Sequence, residues 1–258
     1  MLRTLPFNRL SMGIQTFNES ILKVLQRRHT ARQAIEAFQN CRAAGFQNIS
    51  IDLMYGLPGE TLSTWQQDLD QALLLHPEHR SASHLIYEED TVLWKLREQH
   101  KVEAADEDLS VSLFSTLIDR LTSEGYDHYE ISNFSLPGLY SRHNSSYWTE
   151  KKYLGCGPSA HSYNGVSRQW NVASLDTYIK GISAGTPVFE IEELDLYTRY
   201  NDFVITRIRT EWGTPLSKLR DEFGEKLYDY CLRMAAPHLK QGTLELVNDI
   251  LKLTRKGI

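Results

Sequence analysis

Asn48-Ile49-Ser50-Ile51-Asp52-Leu53-Met54-Tyr55-Gly56-Leu57-Pro58-Gly59-Glu60-Thr61 is a strand, a tight turn and the start of a helix, in that order. Residues 48–55 are rich in β-favouring side chains. Gly56 and Pro58-Gly59 punctuate the chain, and Thr61 is placed to cap a helix carrying Trp65, Leu69, Ala72 and Leu73 on one side. The turn lacks the Lys-Ser/Thr of a P-loop and the GxGxxG pattern, so it reads as a connection and not a phosphate cradle. The same alternation extends both ways. Arg9 to Gln15 reads as a strand, and Thr30 caps a helix with Ala34, Phe38 and Cys41 at helical spacing, stopped by Gly45. Further strands are expected at Ser81–Tyr87 and Tyr126–Ser132, around a helix from Asp106 to Glu124. Strand–helix–strand order with short loops predicts parallel strands and right-handed crossovers.

About four βα units are visible, whereas a closed eight-stranded barrel needs about twice as many. The expectation is an α/β fold, either an open sheet or a portion of a barrel. The chain opens directly on a strand, which predicts a missing upstream unit and an edge covered by a second copy or by local rearrangement. Pro137 to Gly165, rich in Gly, Ser, Asn, Tyr and His, is expected to be irregular. Beyond it, 174–184, 195–209, 215–222 and 225–239 read as helices, followed by β elements at 243–247 and 251–254, a winged-helix-like arrangement.

The 258 residues carry a net charge of −5 and 41% apolar side chains, enough for a core and without a basic field for nucleic acid. No apolar run approaches the ~18 residues of a membrane span, and the N-terminus lacks a secretory signal, so a cytoplasmic protein is expected. Three cysteines, Cys41, Cys156 and Cys231, are too scattered for a disulfide framework or a thiolate metal set.

Gln15, Arg27 and Asp52 combine an amide, a guanidinium and a carboxylate near the carboxyl ends of strands, where parallel α/β folds gather their ligands. They suit a ligand with a carboxylate, an amine and a ribose. The alternative is that Asp52 serves neighbouring backbone amides and Arg27 is a solvated helix residue. His76 and His79, in HPEH, read as an exposed connection, and His84 as facing a neighbour. His143 stands in Arg142-His143-Asn144-Ser145-Ser146-Tyr147-Trp148, where an accessible imidazole beside aromatic rings is what an axial haem site needs. The alternative is a loop held by His143 and Asn144, with Tyr147 and Trp148 plugging an interface. Cys156 reads as a small residue in a close turn.

Residues 9–17 (RLSMGIQTF), Arg27-Arg28-His29, 51–59 (IDLMYGLPG) and 129–134 (YEISNF) resemble the oxygen-independent coproporphyrinogen III oxidase-like radical SAM family, essentially end to end. His143-Asn144-Ser145-Ser146-Tyr147-Trp148 resembles the HNxxYW motif of its haem chaperone branch. The resemblance implies the C-terminal portion of a partial (βα)6 barrel over 1–135, a connecting segment at 136–173 bearing the motif, and a mainly helical C-terminal domain over 174–258. It also implies S-adenosylmethionine contacts at Gln15, Arg27 and Asp52, with mainly backbone contacts at Met54 and Ile86. Haem would lie at His143, Asn144, Tyr147 and Trp148, with His143 on the iron.

The family's CxxxCxxC and GGGTP segments precede the RLSxGxQ region and are absent here. A [4Fe–4S] cluster and reductive cleavage of S-adenosylmethionine are therefore not expected of this chain. Three readings stay open. One is a haem chaperone that hands haem to an acceptor protein, membrane-associated or not, with a homodimer as one form. The others are a fragment of the decarboxylating oxidase and an unliganded scaffold.

Overall fold

The computed structural model describes residues 5–258, and the chain separates into two compact units, Met1–Tyr140 and Ser141–Ile258. The first contains β1 (Leu10–Gln15), α1 (Glu19–Val24), α2 (Ala31–Ala43), β2 (Ile49–Tyr55), α3 (Leu62–Leu74), β3 (His79–His84), α4 (Val92–Glu98), α5 (Glu107–Ser123), β4 (Asp127–Glu130) and β5 (Asn133–Ser135). The sheet order is β1-β2-β3-β5-β4, with β1, β2 and β3 parallel.

Local chemistry sets the helix ends. Thr30 and Thr61 each form a reciprocal capping box with the residue three positions on, and Asp106 accepts the Leu109 N–H at 2.7 Å. Alternation then divides the sheet. Ile51, Leu53 and Tyr55 point to a core with Trp65 and Leu69 of α3 and Leu113, Leu117 and Leu121 of α5. Asp52, at the intervening position, is half-buried.

Three expectations are corrected. The strand predicted at 126–132 is split into a β4–β5 hairpin, in which β5 pairs antiparallel to β3 and β4 pairs antiparallel to β5. Glu130 reverses the chain there, accepting from the Asn133 amide at 2.6 Å and the Ser132 N–H at 3.2 Å. The strand predicted from Ser81 begins at His79. The HPEH segment is not an exposed connection at its end, because His79 is 1% exposed. Its ring bonds Ser50 Oγ at 2.8 Å and the Tyr129 hydroxyl at 2.6 Å, and burial beside Arg9 and Arg80 pushes its pKa down to about 3.

The second unit runs α6 (Arg142–Trp148), β6 (His161–Tyr163), β7 (Ser167–Asn171), α7 (Leu175–Ser183), β8 (Phe189–Glu193), α8 (Leu196–Ile208), β9 (Thr214–Pro215), α9 (Leu216–Phe223), α10 (Glu225–Gln241), β10 (Leu244–Val247) and β11 (Ile250–Leu253). The stretch expected to be irregular thus holds a helix and the first strand of a β6–β7 hairpin, which β8 extends to a three-stranded antiparallel sheet. The helices α8–α10 and the sheet β10-β11-β9 enclose Phe203, Leu216, Leu219, Phe223, Cys231 and Leu251. Asn248 and Asp249 both have positive φ (50° and 69°), the conformation that lets a two-residue turn close β10 onto β11.

Candidate functional site

Two places carry the residues singled out in the sequence, one in each unit. In the first, Gln15 ends β1 with φ 72°. Arg27, just past α1, donates from its guanidinium to the Gly13 carbonyl at 2.9 Å. A Cβ on Gly13 would stand 2.7 Å from Gln15 Nε2 and 3.6 Å from an Arg27 nitrogen, so the missing side chain is what lets both groups gather there. Asp52 is Gly13's partner on β2, and its carboxylate accepts from Ser11 Oγ at 3.2 Å. Gln15, Arg27 and Asp52 therefore meet around one glycine.

Met54 lies further up β2 against the small apolar cluster of Ile21, Leu57 and Leu85. Ile86 follows β3 and is 75% exposed, so its side chain has no fixed wall. Sequence reasoning missed Arg9, whose guanidinium interacts with Asp52 while Nε is buried without a partner among the described residues. Nothing in its spacing marks it out.

Glu60 was also missed. It closes the Gly56–Gly59 turn, accepting the Gly56 N–H at 2.6 Å and the Leu57 N–H at 3.3 Å, while its other oxygen is buried and unpartnered among the described residues. Burial pushes its pKa up to about 7, against the opposing effect of the two N–H bonds. Unfolded, the carboxyl titrates near 4.5. The unfolded chain therefore loses this proton first as pH rises, and the group's stabilisation is lost between about 4.5 and 7. Glu60→Gln should remove a slope worth on the order of 3 kcal/mol across that interval, read as the difference between urea midpoints of parent and variant from pH 4.5 to 8. Parallel pH profiles would contradict the assignment.

In the second unit the HNSSYW residues form α6, with Ser141 as N-cap. His143 and Tyr147, one turn apart, share a face. The Tyr147 hydroxyl is 3.2 Å from His143 Nε2, and their rings meet edge-on at 5.2 Å. Both residues are exposed. Asn144 is half-buried, with its backbone N–H on the Ser141 cap. Trp148 turns away, with the Arg209 guanidinium 4.5 Å over its ring.

The remaining histidines offer less. His84 is held by Ser110 Oγ at 3.0 Å and the Leu85 carbonyl at 2.8 Å, and His29 lies 3.2 Å from the Ile14 carbonyl. Exposed His161 stacks with Trp170 at 6.0 Å.

The cysteines do not fit an iron–sulfur cluster. Cys231 is buried in the helical core, where burial pushes its thiol up, Cys41 lies on α2, and Cys156 is exposed. Among the described residues no three His, Cys, Asp or Glu side chains are gathered to hold a metal. Anaerobic reconstitution of this chain with iron and sulfide should therefore give no stoichiometric cluster absorbance. One cluster per chain would overturn this reading of the thiols. No described helix is long and apolar enough to cross a membrane.

Comparison with known proteins places these sites in context. The Radical SAM superfamily matches residues 1–72, and the HemN C-terminal domain matches residues 194–258. The heme chaperone HemW of Bacillus subtilis is 30% identical over the whole chain, which spans 68% of that relative. The HemW of Lactococcus lactis is 34% identical over 86% of the chain and 59% of its own length. The Mycobacterium tuberculosis protein is 32% identical over 99% of the chain and 64% of its own length. The chain thus spans about two thirds of these relatives. Its fold matches Escherichia coli coproporphyrinogen III oxidase (HemN), described as a radical SAM enzyme, with a TM-score of 0.80 at 22% identity, over 99% of this chain and 62% of that one.

Proposed function

We propose, from the premise that the chain belongs to the heme chaperone HemW family of radical SAM proteins, that it binds haem on α6 and delivers it to an acceptor protein. The carrying observation is the exposed His143 imidazole, paired with Tyr147 on the outer face of α6. His143 supplies a nitrogen to the iron. Tyr147 presents its ring to the porphyrin, an aromatic contact worth on the order of 1 kcal/mol. Ser141 caps the helix start through the Asn144 N–H, and the Asn144 amide would face the bound haem from the same helix. The Tyr147 hydroxyl must turn from Nε2 when iron binds, and its exposure leaves room for that.

The constellation around Gly13 supports a place for S-adenosylmethionine. Arg27 would pair with its carboxylate, Asp52 with its hydroxyls, and the Gln15 amide with its remaining polar atoms. Met54 and Ile86 would contribute backbone. When bound with a reduced cluster, that cofactor supplies radical chemistry; the described residues hold no cluster ligands, and no step is derived through one. The acceptor, membrane-associated or not, is defined here only as a protein that takes haem. The free edge of β1 in the described sheet is where a second copy would pair. The decarboxylating alternative is less favoured, because the relatives sharing the chain's full length carry the chaperone name.

Haemin titrated into the chain should give a saturable Soret shift at about one equivalent. A shift that rises without saturating would remove the proposal.

A further inference from the structure

Beside α6 the second unit contains a cavity of about 180 Å³, walled by Tyr147, Trp148, Glu150, Lys151, Arg168 and Asp202 among others. Pockets that bury a drug-sized molecule whole run to roughly 300–1,000 Å³. This one is too small for a macrocycle and suits a side arm.

Its charges decide which kind. Both acids are already matched: Glu150 accepts from Arg207 at 2.8 Å and Lys218 at 3.3 Å, and Asp202 pairs with Arg168. Two nitrogen donors on its wall stand without an acidic partner. The Trp148 indole N–H is buried with no acceptor among the described residues, and the Lys151 ammonium has no ion-pair partner among them. A buried donor without an acceptor is destabilising until one arrives. The Arg209 guanidinium lies 4.5 Å over the Trp148 ring, so the ring face is already occupied. Tyr147 forms one wall and also touches His143, so the cavity opens one side chain from the iron position.

We infer that this cavity receives a peripheral carboxylate of the porphyrin, held by the Trp148 N–H and Lys151. The inference rests on the haem reading above and deepens it. Trp148 recognises the carboxylate edge of haem and does not cover its face. Charge-assisted hydrogen bonds give such an edge both affinity and orientation.

The test compares haemin with iron(III) protoporphyrin dimethyl ester, which keeps the ring and the metal and loses both carboxylates. The parent should bind the ester about 10-fold more weakly. Trp148→Phe keeps an aromatic ring and deletes the N–H. It should weaken haemin about 10-fold, leave the ester unchanged, and leave the Soret position unmoved because His143 remains. Exposed Lys151→Gln should act in the same direction without disturbing the fold. Equal binding of haemin and ester by the parent overturns the inference alone. So does haemin binding by both variants at the parent's affinity, or an equal loss of both ligands in Trp148→Phe, which reports packing. Absence of saturable haemin binding by the parent overturns the haem reading, and this inference with it.

Discussion

Replacing His143 by alanine should abolish the haemin-induced Soret shift, with a loss of affinity of at least about 100-fold, since disturbing even an outer-shell partner of a metal ligand costs 10–100-fold. Ligation needs an imidazole nitrogen that is accessible and not committed elsewhere. His143 meets that need, because it is exposed and its Nε2 contact is the exposed Tyr147 hydroxyl. His84→Ala should leave the shift nearly intact, since both its ring nitrogens already have protein partners. His161→Ala should do the same, its ring being stacked on Trp170. The measurement is a haemin titration followed in the Soret band for the three variants and the parent. If His143→Ala titrates like the parent, the ligand assignment is wrong and His161 becomes the next candidate.

Trp65→Ala should be the most damaging single change to the first unit. The side chain is fully buried, packs 5.7 Å from the Tyr55 ring, and donates its indole N–H to the Leu113 carbonyl at 3.0 Å, tying α3 to α5. Truncation leaves a cavity and removes the bond between α3 and α5, for a loss of about 4 kcal/mol. Urea unfolding should show a lower midpoint with an unchanged slope. Trp65→Phe, which fills most of the space, should fall between variant and parent. A loss below about 1 kcal/mol would mean that Trp65 does not hold the two helices together.

The sequence by itself determined much of what has a local cause. The caps at Thr30, Thr61, Asp106, Ser174 and Asp195 are where their residue types predict, because each bonds an N–H within three positions. The strand at 49–55 follows from its own alternation, whereas the meeting of Gln15, Arg27 and Asp52 around Gly13 is read from the structure, since Asp52 lies within β2 and Arg27 beyond α1. Tertiary structure decided what depended on distant partners. His79 and Arg80 look unlike strand residues, yet they open β3, because Ser50 and Tyr129 satisfy the imidazole and the Tyr126 ring lies 4.1 Å from the guanidinium. Residues 142–148, with Asn and two serines, have little intrinsic helix preference. They are helical in a unit where Arg209, some sixty residues on, covers Trp148. A polar or weakly helical residue is placed by whichever distant group completes its hydrogen bonds and packing, and that group has no signature in the local sequence.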